Sequence, residues 1–336
     1  MKAALVAGAF GAAVAGYVPC VDGPALQSKL QAAAGNVVVQ GAVAVAALAV
    51  VYKKVQAARA KAAFEAELRG YEKGRVYLFI AMPRVARLVD AGLPHFVGNL
   101  LKLEAWCRLH KVPYELKVGM HYASFSPTET LPFVALNGEL CGDSELCLEW
   151  LAKKLDKPLY DDRELATDAQ KATALVIRRT LEWHCSPQAS RQTIVDNPHV
   201  MAKLFKELAG YPTAMVNIFV GRYRKATIHK LNTSSIGWQS DERCREEYIR
   251  DFVAFERFIA AQGPNGFLLT KDAPTAIDCA AYAHLASMVL LPEEGNTSPC
   301  LAYLAQSKPL RAYIERMNKL LFPSPTELKS GPQRFF

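Results

Sequence analysis

The stretch LPFVALNGELCGDS, residues 131–144, decides the fold of this chain. Asn137 and Gly138 separate two short β-forming runs, and this pair predicts a two-residue hairpin because both residues tolerate the positive φ angles of a type I′ turn. Asp143 and Ser144 suit the start of a helix, where free backbone N–H groups and the helix dipole favour an anion. The residues alone are compatible with any hairpin that is followed by a capped helix.

The composition is that of a globular protein with a basic surface. Of the 336 residues, 51% are apolar and 21% are charged, and the formal net charge is +8. Such a charge favours anionic partners, including lipid headgroups and acidic proteins. No zinc-ligand spacing, helix-turn-helix signature or RNA-binding motif accompanies it, so nucleic acid is not expected as a partner. The cysteines form no C-x-x-C pair and are expected to be buried, reduced thiols.

Two apolar stretches precede the globular part. Residues 3–21 follow Lys2 and are rich in Ala and Gly, which is compatible with a signal peptide or a first membrane helix. Residues 32–52 have about the 20 residues that a bilayer-crossing helix needs, and Lys53-Lys54 follows at once. The positive-inside rule places these basic residues on the cytosolic or matrix side. We expect an N-terminal membrane helix over 32–52, or a helical hairpin if both stretches cross.

The first globular segment alternates strands and helices. A β-branched and aromatic run over 75–81 predicts a buried strand, and apolar residues at helical spacing over 97–110 predict a helix. A second strand is expected over 114–118, before the hairpin and a helix over 144–155. The order strand, helix, strand, hairpin, helix predicts a thioredoxin-like α+β domain, with a mixed sheet between helices.

The second globular segment follows a charged linker, residues 153–163, and shows helical periodicity throughout. Thr275 and Asp278 have the spacing of a capping box, which gives Asp278 a structural role at the start of an apolar helix over 279–291. This segment is therefore expected to be all-α. The expected division is a membrane anchor and helical stalk over 1–71, a thioredoxin-like domain over 72–157, an all-α domain over 164–325 and a tail over 326–336.

Several motifs resemble the metaxin and failed-axon-connections branch of the glutathione S-transferase superfamily. The segment KLEAWCR, residues 102–108, followed by VPYE, is similar to the "K-L-E-x-W-L-R … I-P-Y-E" segment of that branch. Met82-Pro83-Arg84 resembles its Pro-Arg loop, and Ser235-Ile236-Gly237-Trp238 resembles a run that precedes a long helix. The resemblance covers residues 75 to about 325, and it implies that the all-α domain is a glutathione S-transferase C-terminal domain.

The resemblance also implies a seat for glutathione. In the superfamily the proline before the third strand is cis, and the acidic-Ser pair holds the γ-glutamyl end of the tripeptide. If the seat is retained, Leu131, Pro132, Asp143 and Ser144 would form it. Where the branch has a Ser-Pro-Phe triplet, this chain has Val97-Gly98-Asn99. Val97 cannot donate a hydrogen bond to a thiolate, so we do not expect catalysis by the usual route.

The sequence contains two other groups of candidate binding residues. His184 and Cys185, with Glu182 close by in sequence, lack a second ligand pair, so we expect a partly buried pair and no metal. A basic helical stretch has two interpretations, a solvated face or a site for an anionic lipid or acidic partner. Its members are Arg222, Arg224, Lys225 and Lys230.

These observations favour a non-catalytic accessory or interaction subunit of a membrane assembly. Metaxins work in mitochondrial outer-membrane import, so the resemblance implies a mitochondrial membrane, with the globular part on the cytosolic or matrix side. Membrane lipids and other membrane-protein subunits are the expected partners, and a homodimer is compatible with the sequence. No cofactor is expected to be obligatory, and glutathione is the candidate ligand. The alternative is a membrane-bound, glutathione-dependent transferase or peroxidase.

Overall fold

The computed structural model describes residues 37–209, 212–329 and 334–335, and the chain divides into two compact units between Glu67 and Leu68. The described part of the first unit consists of helix α1 (Val37–Arg69), so the predicted stalk is helical. Within the described ranges, no helix combines the length and the hydropathy that crossing a membrane requires. The predicted spanning segment 32–52 begins outside the described residues, and the predicted segment 3–21 lies wholly outside them.

The second unit begins with a five-stranded mixed sheet in the order β4-β3-β1-β2-β5. Strand β1 lies at the centre of this order, and all five of its residues are buried. It pairs with β2 in parallel and with β3 in antiparallel fashion. The predicted hairpin is confirmed, with φ angles of 55° at Asn137 and 83° at Gly138. Residues of the predicted tail pair with β2 as a short edge strand. The strands are β1 (Val76–Ile80), β2 (Tyr114–Val118), β3 (Phe133–Leu136), β4 (Glu139–Gly142) and β5 (Arg334–Phe335).

Helices cover this sheet and form the all-α region that follows it. The order strand, helix, strand, hairpin, helix that the sequence predicts is confirmed, with a short helix before the first long one and a 3₁₀ helix (Met120–Phe125) before the hairpin. The helices are α2 (Ala86–Asp90), α3 (Gly98–Leu109), α4 (Ser144–Leu155), α5 (Asp168–Thr180), α6 (Ser186–Ser190), α7 (Pro198–Ala209), α8 (Thr213–Asn232), α9 (Ser235–Trp238), α10 (Asp241–Ala261), α11 (Ala276–Val289), α12 (Pro299–Gln306), α13 (Lys308–Leu321) and α14 (Pro325–Lys329).

Helix α11 is the centre of the apolar core, and it begins at the predicted capping box. The Asp278 carboxylate accepts hydrogen bonds from the Thr275 N–H at 2.9 Å and from the Leu268 N–H at 2.8 Å. The Tyr313 hydroxyl donates to the same carboxylate at 3.0 Å. Asp278 is fully buried, and it closes the capping box with Thr275 that the spacing in the sequence predicts.

Helical periodicity in the sequence predicts a helix over about 166–185, and in the structure this helix continues for ten more residues. After α5, the helical path runs through a π-helical segment (Leu181–Cys185), α6 and a second π-helical segment (Arg191–Val195). Pro187 lies in the first turn of α6 and has no N–H to donate. The wider π turns on either side let the path continue past this proline, which sequence periodicity alone does not register.

Candidate functional site

The start of helix α3 is the position where the superfamily resemblance places a thiol-activating side chain. Val97 is its N-cap residue, with φ −89° and ψ 102°, and its side chain makes no capping hydrogen bond. The Val97 N–H donates to Nδ1 of His95 at 3.0 Å. Gly98 allows α3 to approach α11 closely, because a Cβ atom there would lie 3.0 Å from the Ser287 hydroxyl. The local sequence therefore serves packing and offers no hydroxyl or thiol.

A cavity of about 190 Å³ opens at this helix start. It lies between α3, the helical path from Leu181 to Ile194, α8 and α11, and its walls are mostly apolar. Lys102 and Glu182 supply charges at its wall, and their side chains are bonded to each other at 2.5 Å. Such a cavity, with a few polar groups among apolar walls, is suited to a small and largely apolar molecule.

The four residues predicted to hold glutathione lie apart from this cavity. The Leu131–Pro132 peptide bond is cis, as the resemblance implies, and it directly precedes β3. None of the four residues lines the cavity at the start of α3. The sequence thus brings the four together around the hairpin and the start of α4, but the described cavity is built from other residues.

Helix α4 begins with a different arrangement from α3. Asp143 is its N-cap, with a φ of 67°, and its carboxylate accepts from the Glu145 N–H at 2.9 Å and the Leu146 N–H at 3.2 Å. A positive φ at a residue other than glycine is uncommon and often marks a functional position. Ser144 is 5% exposed, and its hydroxyl makes no hydrogen bond with another described residue. One carboxylate oxygen and one hydroxyl thus remain for a ligand's ammonium and carboxylate groups.

The charged residues of the KLEAWCR motif are buried and paired within the protein. Lys102 is 3% exposed, and its Nζ atom donates to Glu145 at 3.0 Å and to Glu182 at 2.5 Å. Burial lowers the pKa of Lys102, but the two carboxylates more than offset this effect and the net pKa is raised. Lys102 is therefore a cation that joins α3, α4 and the all-α region.

A second buried network ties the Pro-Arg loop to the same helix. Arg84 forms an ion pair with Glu104 and donates to the Pro94 carbonyl at 2.7 Å. The Tyr114 hydroxyl donates to Glu104 at 3.0 Å and accepts from Arg108 at 2.7 Å. The sequence motifs contain these residues but do not show that they form one network. The signal was available, since three charged residues recur within one apolar helix pattern.

The histidine and cysteine side chains around α3 are not poised for thiol chemistry. His95 is buried, and burial together with nearby Arg84 lowers its pKa to about 3, so the ring is neutral at physiological pH. Burial raises the pKa of the thiols of Cys107, Cys141 and Cys147. These three thiols of the thioredoxin-like domain are therefore protonated at neutral pH and poorly nucleophilic.

His184 and Cys185 meet a partner that the sequence did not indicate. The sequence suggested Glu182, but that carboxylate bonds Lys102, and His184 Nδ1 instead lies 2.6 Å from Asp251 Oδ2. The Cys185 thiol donates to the same oxygen at 3.4 Å. The hydrogen bond that His184 donates to the Asp251 carboxylate raises the pKa of His184. The three ligand atoms lie within 4.8 Å of one another, so the group could offer three ligands to a metal ion, although each atom already has a protein partner.

The four basic residues predicted as a patch all lie on α8 and are exposed. Arg224 differs from the other three because its Nε atom donates to the Val195 carbonyl at 2.7 Å. The other members, Arg222, Lys225 and Lys230, take part in no ion pair within the described ranges.

Comparisons with known proteins agree with this architecture. The family model described as the glutathione S-transferase N-terminal domain matches residues 99–197. Failed axon connections of Drosophila melanogaster is 26% identical over 279 residues, which are 79% of this chain and 62% of that relative, so less than two thirds of the relative's length is matched. The resemblance to the failed-axon-connections branch of the glutathione S-transferase superfamily is thereby confirmed.

Solved glutathione transferases are similar at lower identity. Glutathione transferase GSTFuA3 from Phanerochaete chrysosporium is 11% identical, with a TM-score of 0.49 over 75% of this chain and 99% of that chain. Beta-etherase LigF from Sphingobium sp. strain SYK-6 is 14% identical, with a TM-score of 0.46 over 76% of this chain and 99% of that chain.

Proposed function

We propose that this relative of failed axon connections is a non-catalytic binding module on a glutathione S-transferase fold, anchored to a membrane as an accessory subunit of a larger assembly. The observation that carries the proposal is Val97 at the start of α3. A glutathione thiol becomes nucleophilic when a hydrogen-bond donor or a positive charge stabilises its thiolate. Val97 provides neither.

The neighbours of Val97 do not replace the missing group. His95 is neutral and its Nδ1 atom already accepts the Val97 N–H, so it adds no positive charge. Lys102 is the cation at the cavity wall, but it is held between two carboxylates that neutralise it. The side chains around the start of α3 therefore add little positive potential for a thiol placed there, and only the backbone N–H groups of the helix remain to stabilise its thiolate.

The buried charges support a scaffold role. The motif residues Lys102, Glu104 and Arg108 each bond to partners from other elements and hold the thioredoxin-like region against its surroundings. Their side chains are 0–4% exposed, which leaves them out of reach of a solvent-borne substrate. We therefore assign these residues to the architecture.

Membrane anchoring rests on residues 32–52 and the basic residues that follow them. We propose one spanning helix there, with the globular part on the cytosolic or matrix side, and a mitochondrial membrane by likeness to metaxins. Extraction of isolated mitochondria at alkaline pH tests this directly. The full-length protein should stay in the membrane pellet, whereas release with the peripheral proteins would contradict the anchor.

The accessory role is tested by the native mass of the endogenous protein after solubilisation in mild detergent. Co-migration with a stable large complex is the expected result. Migration as a monomer or homodimer would contradict the accessory role, and conjugation of glutathione to an electrophile by the full chain would contradict the non-catalytic one. In that assay Val97→Ser should gain activity relative to the wild type, with Val97→Ala as the matched control.

A second candidate function is that of a membrane-bound, glutathione-dependent transferase or peroxidase, which would bind glutathione and remain catalytically active. Two observations favour it: the Ser144 hydroxyl makes no hydrogen bond with another described residue, and Asp143 has a positive φ. Calorimetric titration of the full chain in detergent with glutathione tests it. Binding that Ser144→Ala weakens would support this candidate, and absence of binding at millimolar glutathione would exclude it.

A further inference from the structure

Helix α8 carries an exposed surface that the proposed function does not use. Val216, Val220 and Leu231 are its buried residues and fix which side faces the protein. Because an α-helix has 3.6 residues per turn, the opposite side carries Met215, Ile218, Arg222, Lys225 and His229, with Phe219 at its edge. We call this set the outer face of α8.

The outer face is apolar at one end and basic at the other. The side chains of Met215, Ile218 and Phe219 are 57%, 61% and 41% exposed. On a solvated helix face, positions this exposed are normally occupied by polar side chains. The Phe219 ring packs edge-on against Phe205, with centroids 5.0 Å apart, so its position is set by the fold. Arg222 and Lys225 follow one turn later and are exposed.

The surrounding charge is of one sign. Residues 212–239 include four Lys or Arg residues and no Asp or Glu. Two carboxylates on the flanking elements are already engaged, since Glu207 on α7 bonds Arg87 at 2.6 Å and Asp241 on α10 bonds Arg191. An anion that approached the outer face would meet no repulsive carboxylate from α8 itself.

Trp238 lies on the short helix that follows α8, and it has the features of an interfacial anchor. Its side chain is 82% exposed, and its indole N–H donates to the Asn232 carbonyl at the end of α8, at 3.1 Å. Tryptophan in this setting is favoured where an apolar medium meets water, because the ring is large and amphipathic.

We infer that the outer face of α8 docks on an anionic lipid bilayer. Met215, Ile218 and Phe219 enter the boundary between headgroups and acyl chains, and Arg222 and Lys225 contact the headgroup phosphates. A helix with exposed apolar and basic residues binds membranes through buried apolar area plus attraction to anionic lipid. A protein partner could satisfy the apolar residues as well, but the absence of acidic residues over a long exposed stretch matches a uniformly anionic surface.

This contact is separate from the proposed spanning helix, so its test needs a local readout. The full chain is reconstituted into vesicles of phosphatidylcholine alone or of phosphatidylcholine with phosphatidylserine, and amide hydrogen exchange is followed along the sequence. Exchange over residues 213–238 should slow in the anionic vesicles only. Exchange over α13 should be the same in both vesicles, and it serves as the internal control.

Matched variants separate charge from fold. Arg222→Gln with Lys225→Gln removes two charges that contribute on the order of 1 kcal/mol each, so the docked-to-undocked ratio should fall roughly thirtyfold. Lys308→Gln with Arg311→Gln, an exposed pair at the same spacing on α13, should leave the ratio unchanged. Ile218→Ser should also weaken docking, whereas Val176→Ser, at 63% exposure on α5, should not.

Three results would overturn the inference. Equal exchange in neutral and anionic vesicles would exclude recognition of anionic lipid. If both double variants lose the same protection from exchange, docking depends on the net charge of the protein and not on the outer face of α8. Protection of α8 that rises with protein concentration in detergent alone, without vesicles, would identify the outer face as a contact between copies of this chain.

Discussion

The two long helices of the thioredoxin-like domain begin in opposite ways. At α4, the Asp143 carboxylate accepts two backbone N–H groups and the neighbouring Ser144 hydroxyl is left for a ligand. At α3, the Val97 side chain offers no polar atom, and the Val97 N–H donates to the neutral ring of His95. One helix start thus offers polar side chains, and the other offers no hydroxyl or thiol.

The difference shows which features the fold itself protects. The acidic residue at α4 caps a helix, so its loss would cost stability whether or not glutathione binds. At the start of α3 buried ion pairs hold the helix in place, so the fold tolerates a residue there that provides no cap. Retained residues at α4 are thus weak grounds for an enzyme, whereas Val97 at α3 bears directly on the chemistry.

The largest expected effect concerns the buried pair that holds α3. Glu104→Ala would leave the Arg84 guanidinium, whose side chain is 4% exposed, without its carboxylate. Removing one partner of a buried ion pair typically costs about 3–5 kcal/mol. Denaturant unfolding of the full chain in mild detergent should show this loss. Glu149→Ala breaks a half-exposed pair with Arg178 and serves as the control, with a cost below about 1 kcal/mol. Equal losses in the two variants would contradict the account.

The next effect is a pH dependence that originates at the α3 entry. Burial lowers the pKa of His95 from 6.5 to about 3, so the unfolded chain binds a proton that the folded chain rejects between these values. The stability contributed by the neutral ring is present above pH 6.5 and is lost as the pH falls, by about 1.4 kcal/mol per pH unit.

The measurement compares unfolding free energies of the wild type and His95→Gln from neutral pH to about pH 5. The gap between the two proteins should narrow on acidification, because the variant lacks the titrating ring. Parallel curves would show that His95 is not held neutral by the fold.

The smallest effects compare the two helix starts directly. Asp143→Ala should cost about 1 kcal/mol, the usual loss for an N-cap residue. Val97→Thr is nearly isosteric and supplies a hydroxyl that can accept a free N–H of α3, so it should stabilise the protein by up to about 1 kcal/mol. Thermal unfolding of both variants checks the pair. If Asp143→Ala does not change the stability of the protein, the Asp143 carboxylate is retained for a ligand and not for the helix.

Local patterns in the sequence were sufficient to predict most of the fold. Asn137-Gly138 predicts the hairpin, and the Thr275 and Asp278 spacing predicts the capping box, because both depend on residues close together in the chain. The sequence pattern places the end of the helix near Cys185, ten residues too early, because π turns around a proline leave no periodic signature.

The candidate site was harder to predict because its contacts are distant in sequence. Glu182 and Lys102 are 80 residues apart, and His184 and Asp251 are 67 residues apart. The motif alone shows that Val97 stands where the branch has a serine, so its bearing on thiol activation could be predicted. The buried state of Lys102 could not, since a lysine in a helix pattern is normally solvated.

The central claim is that this fold no longer activates a glutathione thiol, and the most direct test is the pKa of that thiol in the presence of the protein. Ultraviolet absorbance of the thiolate is titrated against pH for glutathione with the full chain in detergent, alongside Val97→Ser. The account predicts that the glutathione thiol titrates at a higher pKa with the wild-type protein than with Val97→Ser, because only the variant adds a side-chain hydroxyl. Thiolate that forms with the wild-type protein well below the pKa of free glutathione would contradict it.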